Sequence, residues 1–62
     1  MRDITLRQIE VIRAVMLRGT IIGAAEYLGV SAPGISRLLK HTEETLNLRL
    51  FERRGGLFVP SV

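Results

Sequence analysis

The chain has 62 residues, with nine Lys plus Arg against six Asp plus Glu, one His, no Cys and a formal net charge of +3. At this length it forms one small domain that buries only about 60% of the surface its unfolded form exposes, with no room for a cofactor-binding sheet beside a catalytic cleft. Without Cys it has no disulfide framework, thiolate metal site or Cys nucleophile, a lone His makes no metal site unaided, and the positive balance favours an anionic partner.

Thr5 followed three residues later by Gln8 has the spacing of a helix capping box. Leu6, Ile9, Ile12, Val15 and Met16 then recur at helical steps and predict one buried stripe, with Arg7, Glu10, Arg13 and Arg18 largely on the other side. Gly19 ends this helix. Thr20 is a second N-cap, and the short run Ile21 to Leu28 carries Ala24 and Ala25, which allow a close helix crossing. Gly29 turns the chain, Val30 adds an apolar contact, and Ser31 caps a third helix with Pro33 in its first turn, where a missing N–H costs nothing. Ile35, Leu39, Thr42 and Leu46 form the inner stripe of that helix, with Leu38 alongside. Arg37, Lys40, His41 and Glu44 point elsewhere.

Asn47 is the expected stop, since Asn tolerates the left-handed conformation. Leu48, Leu50 and Phe51-Glu52-Arg53 read as extended, Arg54-Gly55-Gly56 as a turn, Leu57-Phe58-Val59 as the return strand, and Pro60 as its end. Two strands this short must lean on the helices. Apolar runs are no longer than Ala14 to Leu17, far from the ~20 residues of a transmembrane span, and no secretory signal is visible. The expectation is a soluble, intracellular domain without a membrane partner.

Function is concentrated in Thr20 to Leu39. Ala25, Gly29, Ile35 and Leu38 stand at relative positions 5, 9, 15 and 18 of a helix-turn-helix. The alanine admits the crossing helix, the glycine makes the turn, and the two aliphatics hold the second helix on the core. Its first turn and outer face are then free to enter a major groove. They present Ser31, Ala32, Pro33, Ser36, Arg37 and Lys40. With the hairpin and its Arg53 and Arg54, the expected fold is mainly α: a winged helix-turn-helix of three helices plus a short two-stranded β-hairpin wing, filling residues 1–62.

The stretches Leu6-Arg7-Gln8-Ile9, Arg18-Gly19-Thr20, Ala24-Ala25, Leu28 through Arg37, Glu43, and Leu46 through Arg53 closely resemble the DNA-binding domain of LysR-type transcriptional regulators, over nearly the whole chain. Within that family RAVMLRGT followed by GAAEYLG looks most like regulators of opine and amino-acid catabolism. The resemblance implies a bacterial, cytoplasmic, nucleoid-associated regulator, a homodimer or homotetramer. It also implies a linker helix and an effector-binding domain after Val62, both absent from this sequence, so that the fragment alone is expected to be monomeric or weakly dimeric. Departures stand beside the matches. The family usually carries Gln where this chain has Ala32, which can touch a thymine methyl but donates no hydrogen bond. Gly34 replaces a common Ala, Thr42 replaces a large apolar residue, and Ser61 stands in place of Thr.

On this reading residues 31–46 enter the major groove of double-stranded DNA and residues 50–59 lie on the backbone or minor groove. Arg37 is the candidate for a bidentate guanine contact; the alternative is a solvated side chain or a surface pair with Glu44 or Glu52. Ser36 reaches a phosphate or base edge, or bonds a backbone carbonyl one turn back. Pro33 shapes the helix start and packs on a sugar or methyl group. Thr20 aims a helix N-terminus at a phosphate. Lys40, Arg53 and Arg54 are phosphate or minor-groove candidates, or merely solvated. His41 is a surface residue, and Tyr27 and Phe51 are expected in the core. Arg2, Arg7 and Arg13 could touch the DNA backbone, Arg13 more simply being solvated. No cofactor, metal site or catalytic constellation is expected, so the chain reads as no enzyme. The alternative function is a winged-helix protein-interaction module that has lost specific DNA binding.

Overall fold

The computed structural model describes residues 4–61, and Arg2 lies outside them. The first helix, α1 (Leu6–Arg18), starts on a reciprocal capping box: Gln8 N–H donates to Thr5 Oγ1 at 3.2 Å and Thr5 N–H donates to Gln8 Oε1 at 2.8 Å. Helix α2 (Ile21–Leu28) begins where Thr20 Oγ1 accepts the Gly23 N–H, and α3 (Ala32–Leu46) where Ser31 Oγ accepts that of Gly34. Between α2 and α3 the chain turns at Gly29, whose φ of +71° is open to glycine at little cost. Strands β1 (Phe51–Arg54) and β2 (Leu57–Pro60) pair antiparallel, with Phe51 opposite Pro60 and Arg54 opposite Leu57.

That register corrects the wing. Arg54 lies inside β1, so the turn consists of Gly55 and Gly56 alone, both at positive φ (58° and 83°). Two such residues make the mirror-image turn whose twist suits a tight hairpin. Pro60 is the last paired residue, and its missing N–H is tolerated on an edge strand.

The core joins Val11, Ala14 and Val15 of α1, Ala24 and Ala25 of α2, Ile35 and Leu39 of α3, and Phe51 of the wing. Ala14 and Ala24 are fully buried, so the helices meet with almost no side chain between them. Thr42 is also buried, and its hydroxyl donates to the Leu38 carbonyl at 2.8 Å, so no polar atom is stranded there. Leu38, one of the two expected plugs, is only half-buried, and Leu39 takes the deeper position.

Two expectations fail on α1 and α2. The buried stripe of α1 is Gln8, Val11, Ala14 and Val15, whereas Leu6 is 71% exposed and Ile9 and Met16 are exposed too. The helix carries apolar residues around most of its circumference, and the alanine-lined crossing selects the face with the smaller side chains. Tyr27 is not in the core. It is 53% exposed, with the Arg18 guanidinium 5.1 Å from its ring centroid, a cation–π geometry that suits a wet surface.

Gly23 is needed for closeness. A Cβ there would meet Thr20 Oγ1 at 2.8 Å and Arg18 Cβ at 3.0 Å. Gly23→Ala therefore displaces the cap of α2, a loss of about 1 kcal/mol, and adds strain against Arg18 that outweighs alanine's helix advantage of about 1 kcal/mol. A fall of about 4–8 °C in the thermal midpoint is expected by circular dichroism. In a Thr20→Ala background, where no cap remains to lose, the same substitution should cost distinctly less.

Candidate nucleic-acid interface

Because Ile35, Leu39 and Thr42 face the core, the opposite side of α3 is left outward. Ser31, Pro33, Ser36, Arg37 and Lys40 are all exposed. Ser36, Arg37 and Lys40 make no side-chain hydrogen bond or ion pair among the described residues, so Arg37 does not pair with Glu44 or Glu52. Ala32 departs from the expectation: it is half-buried and packs against the core, only partly available from outside. His41 is exposed, as expected.

The N-terminus of α2 faces the wing. Thr20, Ile21, Ile22, Arg53, Gly56 and Phe58 line a groove of about 290 Å³. Thr20 Oγ1 is occupied by the Gly23 N–H at 2.9 Å, leaving the first-turn N–H groups of Ile21 and Ile22 without intrahelical acceptors, as at any helix start. The Arg53 guanidinium stacks 4.8 Å from the Phe58 ring centroid, and Phe58 meets the buried Phe51 edge to face at 6.2 Å. Arg53 is thereby held against the wing beside the α2 N-terminus.

The two wing arginines, adjacent in sequence, separate in space, because successive strand residues point to opposite faces. Arg54 lies on the other face and pairs with Glu52, Nη2 to Oε1 at 3.2 Å. An exposed pair of this kind is worth only ~0–1 kcal/mol. On α1, Arg7 is likewise engaged, with Glu10 at 3.3 Å, while Arg13 is exposed beside Met16, Leu17 and Tyr27.

Three connections that sequence reading missed fix the wing, two of them to the helical part and one closing its own base. Phe58 N–H donates to the Gly19 carbonyl at 2.7 Å, Ser61 N–H donates to that of Leu50 at 3.0 Å, and the Glu43 carboxylate accepts the Leu50 N–H at 2.8 Å. No local pattern announces bonds between residues so far apart. Among the described residues no group of three or more His, Cys, Asp or Glu could hold a metal, and no helix is long and apolar enough to cross a membrane.

Three helices, an outward basic face on the third and a hairpin packed beside them define a winged helix-turn-helix DNA-binding domain. The chain belongs to the bacterial regulatory helix-turn-helix proteins of the lysR family, whose pattern it matches over residues 6–61. The octopine catabolism/uptake operon regulatory protein OccR of Rhizobium meliloti is 52% identical over 56 residues, covering 90% of this chain and 19% of that protein. The transcriptional activator protein LysR of Escherichia coli is 42% identical over 62 residues, 100% of this chain and 20% of that one. The crystal structure of CbnR, a LysR family transcriptional regulator, superposes with a TM-score of 0.87 at 30% identity, covering 95% of this chain and 20% of the other. The chain thus spans about a fifth of the length of these relatives, whose names describe an operon regulatory protein, a transcriptional activator and a transcriptional regulator.

Proposed function

We propose that this domain is the reading head of a LysR-type regulator, binding double-stranded DNA sequence-specifically with α3 in the major groove and the wing on the backbone or minor groove. The observation that carries the reading is the outer face of α3, where Arg37 and Lys40 stand exposed and unpaired beside Ser36 and Pro33 while the opposite face holds the core. Arg37 reads a base edge, guanine being the best match for its two-pronged donor. Ser36 bonds a phosphate or base edge, Pro33 packs on a sugar or methyl group, and Ala32 offers its remaining surface to a thymine methyl. Lys40, Arg53 and the α2 start at Thr20 grip phosphates. Arg54 joins them by exchanging Glu52 for a phosphate, an exchange that gives up a weak pair.

As part of a bacterial regulator it acts in the cytoplasm on the nucleoid. A full-length regulator of this kind acts as a homodimer or homotetramer assembled through a linker helix, with two such domains set about one helical turn apart on a pseudo-palindrome. This stretch alone is a monomer or weak dimer. The reading is tested by fluorescence anisotropy on random and operator-like duplexes across a salt series. Tighter binding to the operator-like duplex is expected, with log K falling by about 0.9 per phosphate contact for each decade of salt. Equal binding to both duplexes would reduce the function to a phosphate grip. No binding at low salt would overturn it in favour of a protein-interaction module.

A further inference from the structure

Besides the Phe58–Gly19 bond and the burial of Phe51, one side chain of α3 bonds the base of the wing, that of Glu43. Glu43 sits in the last turn of α3, and its backbone carbonyl accepts the N–H groups of Asn47 and Leu48, the latter at 3.1 Å. Those bonds, with Asn47 in the left-handed region at φ 55°, are sufficient to end the helix. The carboxylate reaches two residues farther, to the half-buried Leu50 N–H at 2.8 Å. Leu50 is held from the other side as well: its carbonyl accepts the Ser61 N–H at 3.0 Å, and Ser61 Oγ donates to the Arg49 carbonyl at 2.6 Å. Leu50, just before β1, is thus clamped through both its backbone groups, to α3 on one side and to the residue that follows β2 on the other. A half-buried N–H needs an acceptor, and an ionised carboxylate is a stronger and more directional one than a neutral oxygen. The next residue, Phe51, enters the core, and Arg53 follows on the same face of the strand.

We infer that Glu43 is a positioning residue whose carboxylate sets the angle of the wing on α3, so that Arg53 and the α3 pair Arg37 and Lys40 reach one duplex together. This rests on the DNA-reading function proposed above. The test compares the 62-residue chain with its Glu43→Ala, Glu43→Gln, Arg53→Ala/Arg54→Ala and combined variants in anisotropy salt series, with circular dichroism to establish that each is folded. Glu43→Ala is expected to flatten the salt slope by about 1–2, the loss of one or two phosphate contacts at about 0.9 each. Adding it to the double arginine variant should change little further. Glu43→Gln, whose amide oxygen accepts the same N–H, should restore most of the slope. An unchanged slope in Glu43→Ala, an effect that adds to the arginine loss, or failure of Glu43→Gln to rescue would each overturn the inference. Should Glu43→Ala unfold, an ester in place of the Arg49–Leu50 amide removes the Leu50 N–H, and Ser61→Ala controls for the weakened Arg49 carbonyl that accepts from Ser61 Oγ. The ester but not Ser61→Ala should reproduce the flattened slope, and a wild-type slope in the ester or equal flattening in Ser61→Ala would overturn the inference. Should the wild-type chain bind no duplex, the functional reading fails, and residual dipolar couplings of β1 and β2 amides decide the positioning separately. They should reorient against α3 in Glu43→Ala but not in Glu43→Gln, and an unmoved wing in Glu43→Ala would overturn it.

Discussion

Arg37→Ala combined with Lys40→Ala is expected to weaken binding to the preferred duplex by two to three orders of magnitude while leaving the fold intact. Both side chains are exposed and make no hydrogen bond or ion pair among the described residues, so their loss costs the folded state little. The single variants separate the two kinds of contact. A two-pronged arginine–guanine contact is worth ~1–3 kcal/mol of discrimination, so Arg37→Ala should bring operator-like and random duplexes closer together in affinity. Lys40→Ala should weaken all sequences alike and lower the salt slope by about 1. Anisotropy titrations of the three variants across salt check this. A double variant that binds like the wild type would remove α3 from the interface.

Ile35→Ala carries the largest expected cost to stability. Ile35 is 1% exposed at the centre of the cluster joining α1, α2 and α3, and such truncations cost about 2–5 kcal/mol through lost burial and the cavity left behind. A 62-residue domain holds roughly 3–9 kcal/mol in all, at about 0.05–0.15 kcal/mol per residue. The variant should therefore be partly unfolded at room temperature or melt with a midpoint lowered by ten degrees or more, at about 4–8 °C per kcal/mol. Leu38→Ala, at a half-buried position one residue before Leu39, should cost visibly less. Thermal circular dichroism of the two variants side by side distinguishes them, and equal losses would mean that Ile35 is not the central plug.

The candidate interface was legible where it depends on one helix. Once Ile35 and Leu39 are known to face inward, helical geometry places Arg37 and Lys40 outward, and the structure agrees. It was not legible where two elements meet. Arg53 and Arg54 are neighbours in sequence, yet the two-residue turn at Gly55 and Gly56 sets a register that puts them on opposite faces, one stacked on Phe58 and the other paired with Glu52. Ala32 was expected to face outward and instead rests half-buried against the core, since the first turn of α3 lies close to the crossing.

What the sequence by itself determined is the set of elements and their ends. Thr5 with Gln8, Thr20, Ser31, Gly29 and Asn47 each act through hydrogen bonds or backbone angles within a few residues, so local chemistry was enough to place α1, α2 and α3. Only the tertiary structure decided which face of α1 is buried. Leu6, Ile9, Met16 and Leu17 are as apolar as Val11 and Val15, and apolarity alone does not say which residues face inward. The choice falls to the helix crossing, where Ala14, Ala24 and Ala25 permit close approach, and the larger side chains are left outside. The same holds for the wing. Its strands are written locally, but its place on the helices comes from the Gly19 carbonyl, the Glu43 carboxylate and the burial of Phe51, contacts that form only when distant parts of the chain are already packed together.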